Sequence, residues 1–143
     1  MNGHPALDAL PEWPGRVVAV LATVSGGPFA IPVSAPVRAG DRRILINLRR
    51  DRGSLARLRE EPRVALLLLA EGNIAFTARG RASAEALTED YCAVTIEVDE
   101  IDDHRQPAFV VESGPDRRWV DDDERQALGE RVAALRALTP TRP

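Results

Sequence analysis

The chain has 143 residues and a formal net charge of −3, and this length predicts one domain, residues 1–143, with a hydrophobic core of its own. So small a net charge gives no general reason to expect binding to nucleic acid or to a membrane surface. Because all nineteen basic residues are arginine, Schiff-base chemistry and a Walker-type phosphate loop, which both need lysine, are excluded.

The first fifteen residues, MNGHPALDALPEWPG, are predicted to form an N-terminal extension, 1–15. They have neither the basic region nor the apolar region of a signal peptide, and the longest apolar run, VALLLLA, is too short to cross a bilayer. Cys92 is the only cysteine, which excludes a disulfide framework, and its apolar surroundings predict a packed core thiol. The sequence therefore predicts a cytoplasmic protein.

Three strands are predicted in the first third of the chain. The first, Val17–Val24, is rich in β-branched residues and ends at the turn signal SGG. The second, Phe29–Val37, contains two prolines, which cannot donate to a strand ladder and therefore belong at a bulge or an open edge. After the turn AGD, the third predicted strand is Arg42–Leu48.

A short helix and three more strands are predicted in the middle of the chain. The helix, SLARLREE, would be capped by Asp51 or Ser54 and ends at Pro62. The next segment, RVALLLLA, has the continuous apolar pattern of a strand buried on both faces. IAFTARGRAS and YCAVTIEVDEI follow as strands, and EALTED between them is predicted to be a link or one helical turn.

The chain is predicted to end in an amphipathic helix, residues 121–138. Asp121 with Glu124 three residues later forms a plausible capping box. The helix is closed by Pro140, and its apolar positions recur at helical spacing at Leu128, Val132 and Leu135. Before it, AFVVE and RRWV are either two short strands or irregular segments. Six or so closely spaced strands with two helices predict an all-β barrel or an α+β sheet.

An acidic run, Glu97–Asp103, is followed by His104 and raises the question of a divalent metal site. Because the two-residue repeat of a strand sends these acids to opposite faces, the preferred interpretation is a solvated strand end, and no metal site is predicted. The other histidine, His4, lies in the N-terminal extension. The common dinucleotide, phosphate-loop and zinc-protease motifs are absent from the sequence.

Four arginines cluster where the third strand gives way to the first helix: Arg49, Arg50, Arg52 and Arg57. They form either a solvated turn, paired with Glu60 and Glu61 at little gain in stability, or an anion site. The second interpretation rests on the rigid fork that arginine presents to phosphate and on the free N–H groups of a helix start. The six aromatic residues do not interleave with the cluster, which argues against a nucleic-acid surface.

The segment from about Val17 to Arg81 resembles the pyridoxamine 5′-phosphate oxidase-like family, the flavin- or deazaflavin-binding split β-barrels. The resemblance lies in the order of an LATV strand, a proline-containing strand, an ILIN strand, a charged turn and the pattern LARLREEPRVALLLL. It implies a mainly β (α+β) protein, a six-stranded split β-barrel with two or three short helices, including the C-terminal one. It also implies a homodimer with two cofactors at the subunit interface.

The resemblance further implies which residues bind the cofactor, FMN or, as the alternative, F420. Asn47, Leu48, Arg49 and Arg50 would face its phosphate and ribityl chain, with help from the Ser54 hydroxyl. Val33 and Ser34 would lie along the ring system. Trp119 of the partner subunit would close the pocket, although core packing is the preferred role for this residue.

The sequence departs from the family at the start of the helix. Members that bind FMN tightly usually have Arg-Lys there, where this chain has Gly53 and Ser54. Either a neighbouring arginine replaces these cations or the pocket binds no cofactor. The predicted function is thus a flavin- or deazaflavin-dependent oxidoreductase acting on an unknown small molecule, with a non-catalytic cofactor-binding or ligand-free split barrel as the alternative. No catalytic residue is predicted.

Overall fold

The computed structural model describes residues 5–139 of the chain, so the predictions for His4 and Pro140 lie outside the described residues. Seven strands form one antiparallel sheet in the order β2-β1-β5-β6-β7-β4-β3, and two helices pack beside it. The strands are β1 (Val18–Thr23), β2 (Phe29–Ser34), β3 (Val37–Arg38), β4 (Arg43–Arg49), β5 (Arg63–Ala70), β6 (Ile74–Ala86) and β7 (Tyr91–Asp103), and the helices are α1 (Gly53–Glu60) and α2 (Asp122–Ala137).

The strand count of seven corrects the predicted six, because the predicted second strand is two strands. It breaks at Ala35, whose φ is +51°, and at Pro36, which has no N–H for a ladder. The break carries the chain from β2 at one edge of the sheet to β3 at the other edge. Only two residues separate these strands, so the sheet must curl until its two edges are close together. The result is a strongly curled half-barrel.

The two longest strands, β6 and β7, form a hairpin with a bulge between Arg79 and Gly80. An added Cβ at Gly80 would lie 1.9 Å from the Glu97 carbonyl oxygen, so glycine is required at this bend. The segment EALTED comprises the end of β6 and the turn between β6 and β7. Of its two predicted alternatives, a link or one helical turn, the link is therefore confirmed. AFVVE and RRWV contain no strand. Of the two predicted alternatives, short strands or irregular segments, the irregular segments are therefore confirmed.

The core lies inside the curl and includes the alternating residues of β5. Val64, Leu66 and Leu68 are buried, whereas Ala65, Leu67 and Leu69 on the other face are only half-buried. The prediction that this strand is buried on both faces is therefore wrong for the single chain. Within residues 5–139, the two helices leave this apolar outer face partly exposed. Cys92 is buried, as predicted.

The first helix begins without the predicted cap. Its N-cap residue is Arg52, which makes no side-chain capping bond. Asp51 is instead hydrogen-bonded to Arg49 at 3.2 Å, and Ser54 lies inside the helix, where it is buried. The prediction of a cap at either residue is therefore wrong, because an arginine competes for the carboxylate.

The second helix forms over Asp122–Ala137, close to its predicted range, and shows the Asp121 half of the predicted capping box. The Asp121 carboxylate accepts hydrogen bonds from the N–H groups of Asp123 and Glu124, which stabilises the helix start. Leu128 and Leu135 are buried. Leu135 and Val132 pack against a small apolar cluster of sheet residues, Val37, Ala39, Leu45 and Ala93. This contact holds α2 beside β3 and β4.

The residues before β1 lie along the sheet rather than apart from it. Leu10 is buried, with its N–H bonded to the Asp41 carbonyl, and the Trp13 indole donates to the Pro36 carbonyl at 2.8 Å. Within residues 5–139, no helix is long and apolar enough to span a membrane.

Candidate functional site

A small cavity opens where β2 and β4 end and α2 crosses the edge of the sheet. Its volume is about 130 Å³, and we call it the β4 cavity. It combines apolar side chains, a tyrosine and a tryptophan, two small polar side chains and three arginines. The lining residues are Pro32, Val33, Ser34, Asn47, Leu48, Arg49, Arg52, Tyr91, Trp119, Leu128 and Arg131.

The curl of the sheet explains why these distant segments meet. β2 and β4 are not neighbours in the ladder, yet they contact each other across the barrel. The end of β2 therefore faces the end of β4, and Tyr91 lies beside Arg49 as its partner in the β4–β7 ladder. The segment before α2 and one face of α2 close the remaining side.

The structure brings together six of the eight residues predicted to bind a cofactor. Val33, Ser34, Asn47, Leu48, Arg49 and Trp119 all line the β4 cavity. Trp119 is 37% exposed, so the preferred prediction of core packing is wrong for it. Its side chain lines the cavity of its own chain.

The other two predicted residues, Arg50 and Ser54, do not line the β4 cavity. The guanidinium of Arg50 donates to the Thr88 carbonyl at 3.0 and 3.3 Å and thereby joins β4 to the β6–β7 turn. Ser54 is only 3% exposed. Their role in cofactor binding stays a prediction that this geometry does not favour.

Most of the arginine cluster has partners within the chain. Arg49 pairs with Asp51, whose hydrogen bond and charge raise the pKa of Arg49 above its ordinary value. Arg57 donates to the Ser25 carbonyl at 2.6 Å and lies over the Phe29 ring. Arg52 differs, because within residues 5–139 its side chain has neither a hydrogen-bond nor an ion-pair partner. The cluster is thus neither a simple solvated turn nor an anion site as a whole.

Sequence reasoning missed Arg131 of α2. Its Nε donates to the Asn47 Oδ1 atom at 3.1 Å, and its Cζ lies 3.8 Å from the centroid of the Tyr91 ring. The only signal in the sequence is that Arg131 follows the apolar Leu128 by three residues, on the same side of the helix. Nothing in the sequence pairs it with Asn47.

Arg117, in the irregular segment before α2, was also missed. Its Nη1 donates to the Ser34 hydroxyl at 2.5 Å, and its guanidinium lies 4.6 Å from the centroid of the Trp119 ring. The segment is pressed against the sheet nearby, where a Cβ on Gly114 would lie 2.0 Å from the Leu69 carbonyl oxygen. Arg117 therefore ties the segment before α2 to the end of β2, although its own side chain does not line the β4 cavity.

The β4 cavity combines apolar side chains with three arginines, a composition suited to binding an anion. Among the described residues that line it, none is aspartate, glutamate or histidine, so the lining offers no carboxylate or imidazole for proton transfer. Its 130 Å³ is also less than the roughly 300 Å³ at which ligand pockets begin. A single chain therefore encloses only part of a cofactor-sized molecule.

The acidic run of β7 is engaged in ion pairs. Arg79 pairs with Glu100 and Asp102, and Arg105 pairs with Asp103. Asp102 is 6% exposed, so the predicted solvated strand end is wrong at this residue. Within residues 5–139, no group of three or more histidine, cysteine or acidic side chains is placed to hold a metal ion.

A larger cavity, of about 400 Å³, lies between the N-terminal segment and the β5–β6 turn. Leu7, Ile74 and Phe76 line it together with Asp103 and Arg105. These two charged groups are bonded to each other at 2.8 Å, so they do not offer a free charge to a ligand. The β4 cavity is the better candidate because two of its arginines, Arg52 and Arg131, form no ion pair within residues 5–139.

No protein-family model matches the sequence, and no curated protein is significantly similar to it. Among solved structures, a candidate pyridoxamine 5′-phosphate oxidase from Listeria innocua is 16% identical, with a TM-score of 0.51 over 59% of this chain and 85% of that one. A FAD-binding protein from Mesorhizobium loti is 14% identical, with a TM-score of 0.51 over 59% and 83%. An F420 reductase is 16% identical, with a TM-score of 0.54 over 66% and 100%. At such identities the similarity establishes a shared fold.

Proposed function

We propose that this chain, which has the split-barrel fold of the pyridoxamine 5′-phosphate oxidase-like proteins, binds a phosphate-bearing flavin or deazaflavin cofactor at the β4 cavity and acts as an oxidoreductase on a small molecule. The observation that carries the proposal is the meeting of Ser34, Asn47 and Arg49, from two strands that are not neighbours, with an arginine of α2. Structural neighbours that are a FAD-binding protein and an F420 reductase support the cofactor class.

The lining residues fit such a group. Val33 and Leu48 offer apolar contact to a ring system, and Ser34 and Asn47 offer hydrogen bonds to its polar edge or side chain. Arg49 and its neighbours offer charge-assisted bonds to a phosphate. When bound, the cofactor supplies the hydride or electron chemistry, and the protein orients it and excludes water. The lack of a carboxylate or imidazole in the lining is consistent with that division of labour.

We further propose that the functional unit is a homodimer. The β4 cavity is too small for a whole cofactor, and a second copy would supply the missing wall. β1 and β5 carry an outward apolar row that is only half-buried in the single chain: Val18, Val20, Ala22, Ala65, Leu67 and Leu69. Apolar surface of this kind, on β5 and on β1, which pairs with β2, is suited to a subunit interface.

A non-catalytic or ligand-free barrel is the second candidate. It is favoured by Arg117, which is bonded to Ser34 where a ring system would lie, and by Gly53 and Ser54 at the helix start. In this case the arginines would serve mainly to join α2 and the preceding segment to the barrel. The substrate of the first candidate stays unassigned.

The visible absorption spectrum of the purified protein, followed by reduction of any bound cofactor, separates the two candidates. A spectrum of bound flavin or deazaflavin, or saturable uptake of FMN or F420 by the colourless protein, is the result expected from the proposal. Protein that is colourless and takes up neither compound supports the ligand-free barrel. A bound cofactor that no hydride donor reduces would support the non-catalytic carrier.

A further inference from the structure

Arg131 is held in place by two contacts that leave its outer nitrogens free. The Tyr91 ring lies beneath the guanidinium plane at 3.8 Å, and Asn47 accepts the hydrogen bond of Nε at 3.1 Å. The two terminal nitrogens, Nη1 and Nη2, make no hydrogen bond to any residue between 5 and 139. A planar group that is fixed at its base and free at its fork is preorganised to bind an oxyanion through two parallel bonds.

A second guanidinium lies at the same cavity without a partner. Arg52 is exposed at the start of α1 and, within the described part of the chain, forms neither a hydrogen bond nor an ion pair. Asp51, the acid that precedes it in the chain, is bonded to Arg49. The cavity thus has an excess of positive charge. The acids Glu89, Asp90 and Glu130 line an adjoining cavity, which Tyr91 and Arg131 also line, but none of them forms an ion pair with Arg131 within residues 5–139.

We propose that Arg131 of α2, with Arg52 at the same cavity, is the principal ligand of the cofactor's phosphate group in this chain. This inference rests on the proposed function. It adds to the proposed site a residue that is 84 positions from Asn47 in the sequence. It also explains how a chain with Gly53 and Ser54 in place of helix cations can hold a phosphate. Arg50, the other arginine of the strand end, is already bonded to the Thr88 carbonyl.

The test compares FMN with riboflavin, which has the same ring system and no phosphate. Both are titrated at fixed salt into wild type and into the variants Arg131→Ala, Arg131→Lys and Arg125→Ala. The deazaflavin F420 and its phosphate-free core form a second pair of ligands, compared in the same way. Arg125 lies on the same helix, paired with Asp122 and outside the β4 cavity, so Arg125→Ala controls for loss of charge. Circular dichroism of each variant reports whether α2 is intact.

Arg131→Ala is expected to weaken FMN binding about 10- to 150-fold, the effect of losing one charge-assisted bond, while riboflavin affinity changes little. Arg131→Lys should recover only part of the loss, because lysine lacks the fork, and Arg125→Ala should bind as wild type does. If Arg131→Ala weakens FMN and riboflavin equally, or weakens neither, the inference is overturned and the proposed function stands. If wild type binds none of the four compounds, the proposed function fails and the inference with it.

Discussion

Gly80 is the residue on which the bend of the two longest strands depends. The β6–β7 register shifts at this point, and a Cβ would approach the Glu97 carbonyl oxygen to 1.9 Å. Since backbone cannot yield as a flexible side chain does, we expect Gly80→Ala to lower the free energy of unfolding by about 1–3 kcal/mol. Urea unfolding measures this change.

Gly129 of α2 provides the matched control, because a Cβ there meets nothing within 4 Å. Gly129→Ala should raise the free energy of unfolding by about 1 kcal/mol or less, through helix propensity alone. Equal changes in the two variants would show that the bulge tolerates a side chain.

The site residues differ in how far the sequence could predict them. Val33, Ser34, Asn47, Leu48 and Arg49 lie on the ends of two regular strands, so their positions follow from local patterns and from the family resemblance. Arg131 depends on the angle at which α2 crosses the sheet, which helical spacing does not encode. For Arg50 the position could be predicted but the contact could not. Its place in the arginine cluster is evident from the sequence, whereas its hydrogen-bond partner is the Thr88 carbonyl on a turn distant in sequence.

At the level of elements, α2 is attached to the barrel mainly through a few apolar side chains. Leu135 is fully buried against the sheet cluster, and the next residue, Arg136, is exposed. Replacing a buried leucine by alanine costs roughly 2–5 kcal/mol. We therefore expect Leu135→Ala to lower the melting temperature clearly and Arg136→Ala to change it little. Similar small shifts in both variants would mean that the helix does not depend on this contact.

The strand that the sequence did not separate, β3, shows where pattern reasoning fails. Two prolines in the predicted strand Phe29–Val37 indicated a bulge or an open edge, and β2 is indeed an edge strand. The pattern gave no sign that Ala35 has a positive φ, a conformation that residues with a Cβ rarely adopt. That one residue directs the chain across the opening of the barrel.

For the whole molecule we predict a homodimer. The half-buried row on β1 and β5 is the outer face of strands whose inner face forms the core. A stable interface of this kind buries roughly 2,000 Å² or more in total. Light scattering at micromolar concentration should give twice the mass of one chain. A monomer mass under these conditions would contradict the prediction and leave the β4 cavity without its second wall.

The fold as a whole was more accessible to prediction than the assembly. The order of strand, proline strand, charged turn, short helix and apolar strand is continuous in sequence and sufficed to indicate the split barrel. The chain leaves one face of β5 partly open, although its sequence, RVALLLLA, predicts burial on both faces. If the dimer forms, that strand is the signal in the sequence that a second copy is needed.

Binding of the cofactor at the β4 cavity can be tested by NMR. FMN and F420 are titrated into isotopically labelled protein, and the backbone amides are followed in two-dimensional spectra. We expect at least one of the two compounds to cause saturable chemical-shift changes, concentrated on Ser34, Asn47, Arg49 and Arg131. Shifts concentrated instead around Leu7 and Phe76, which line the larger cavity, or no saturable shifts with either compound, would contradict this expectation.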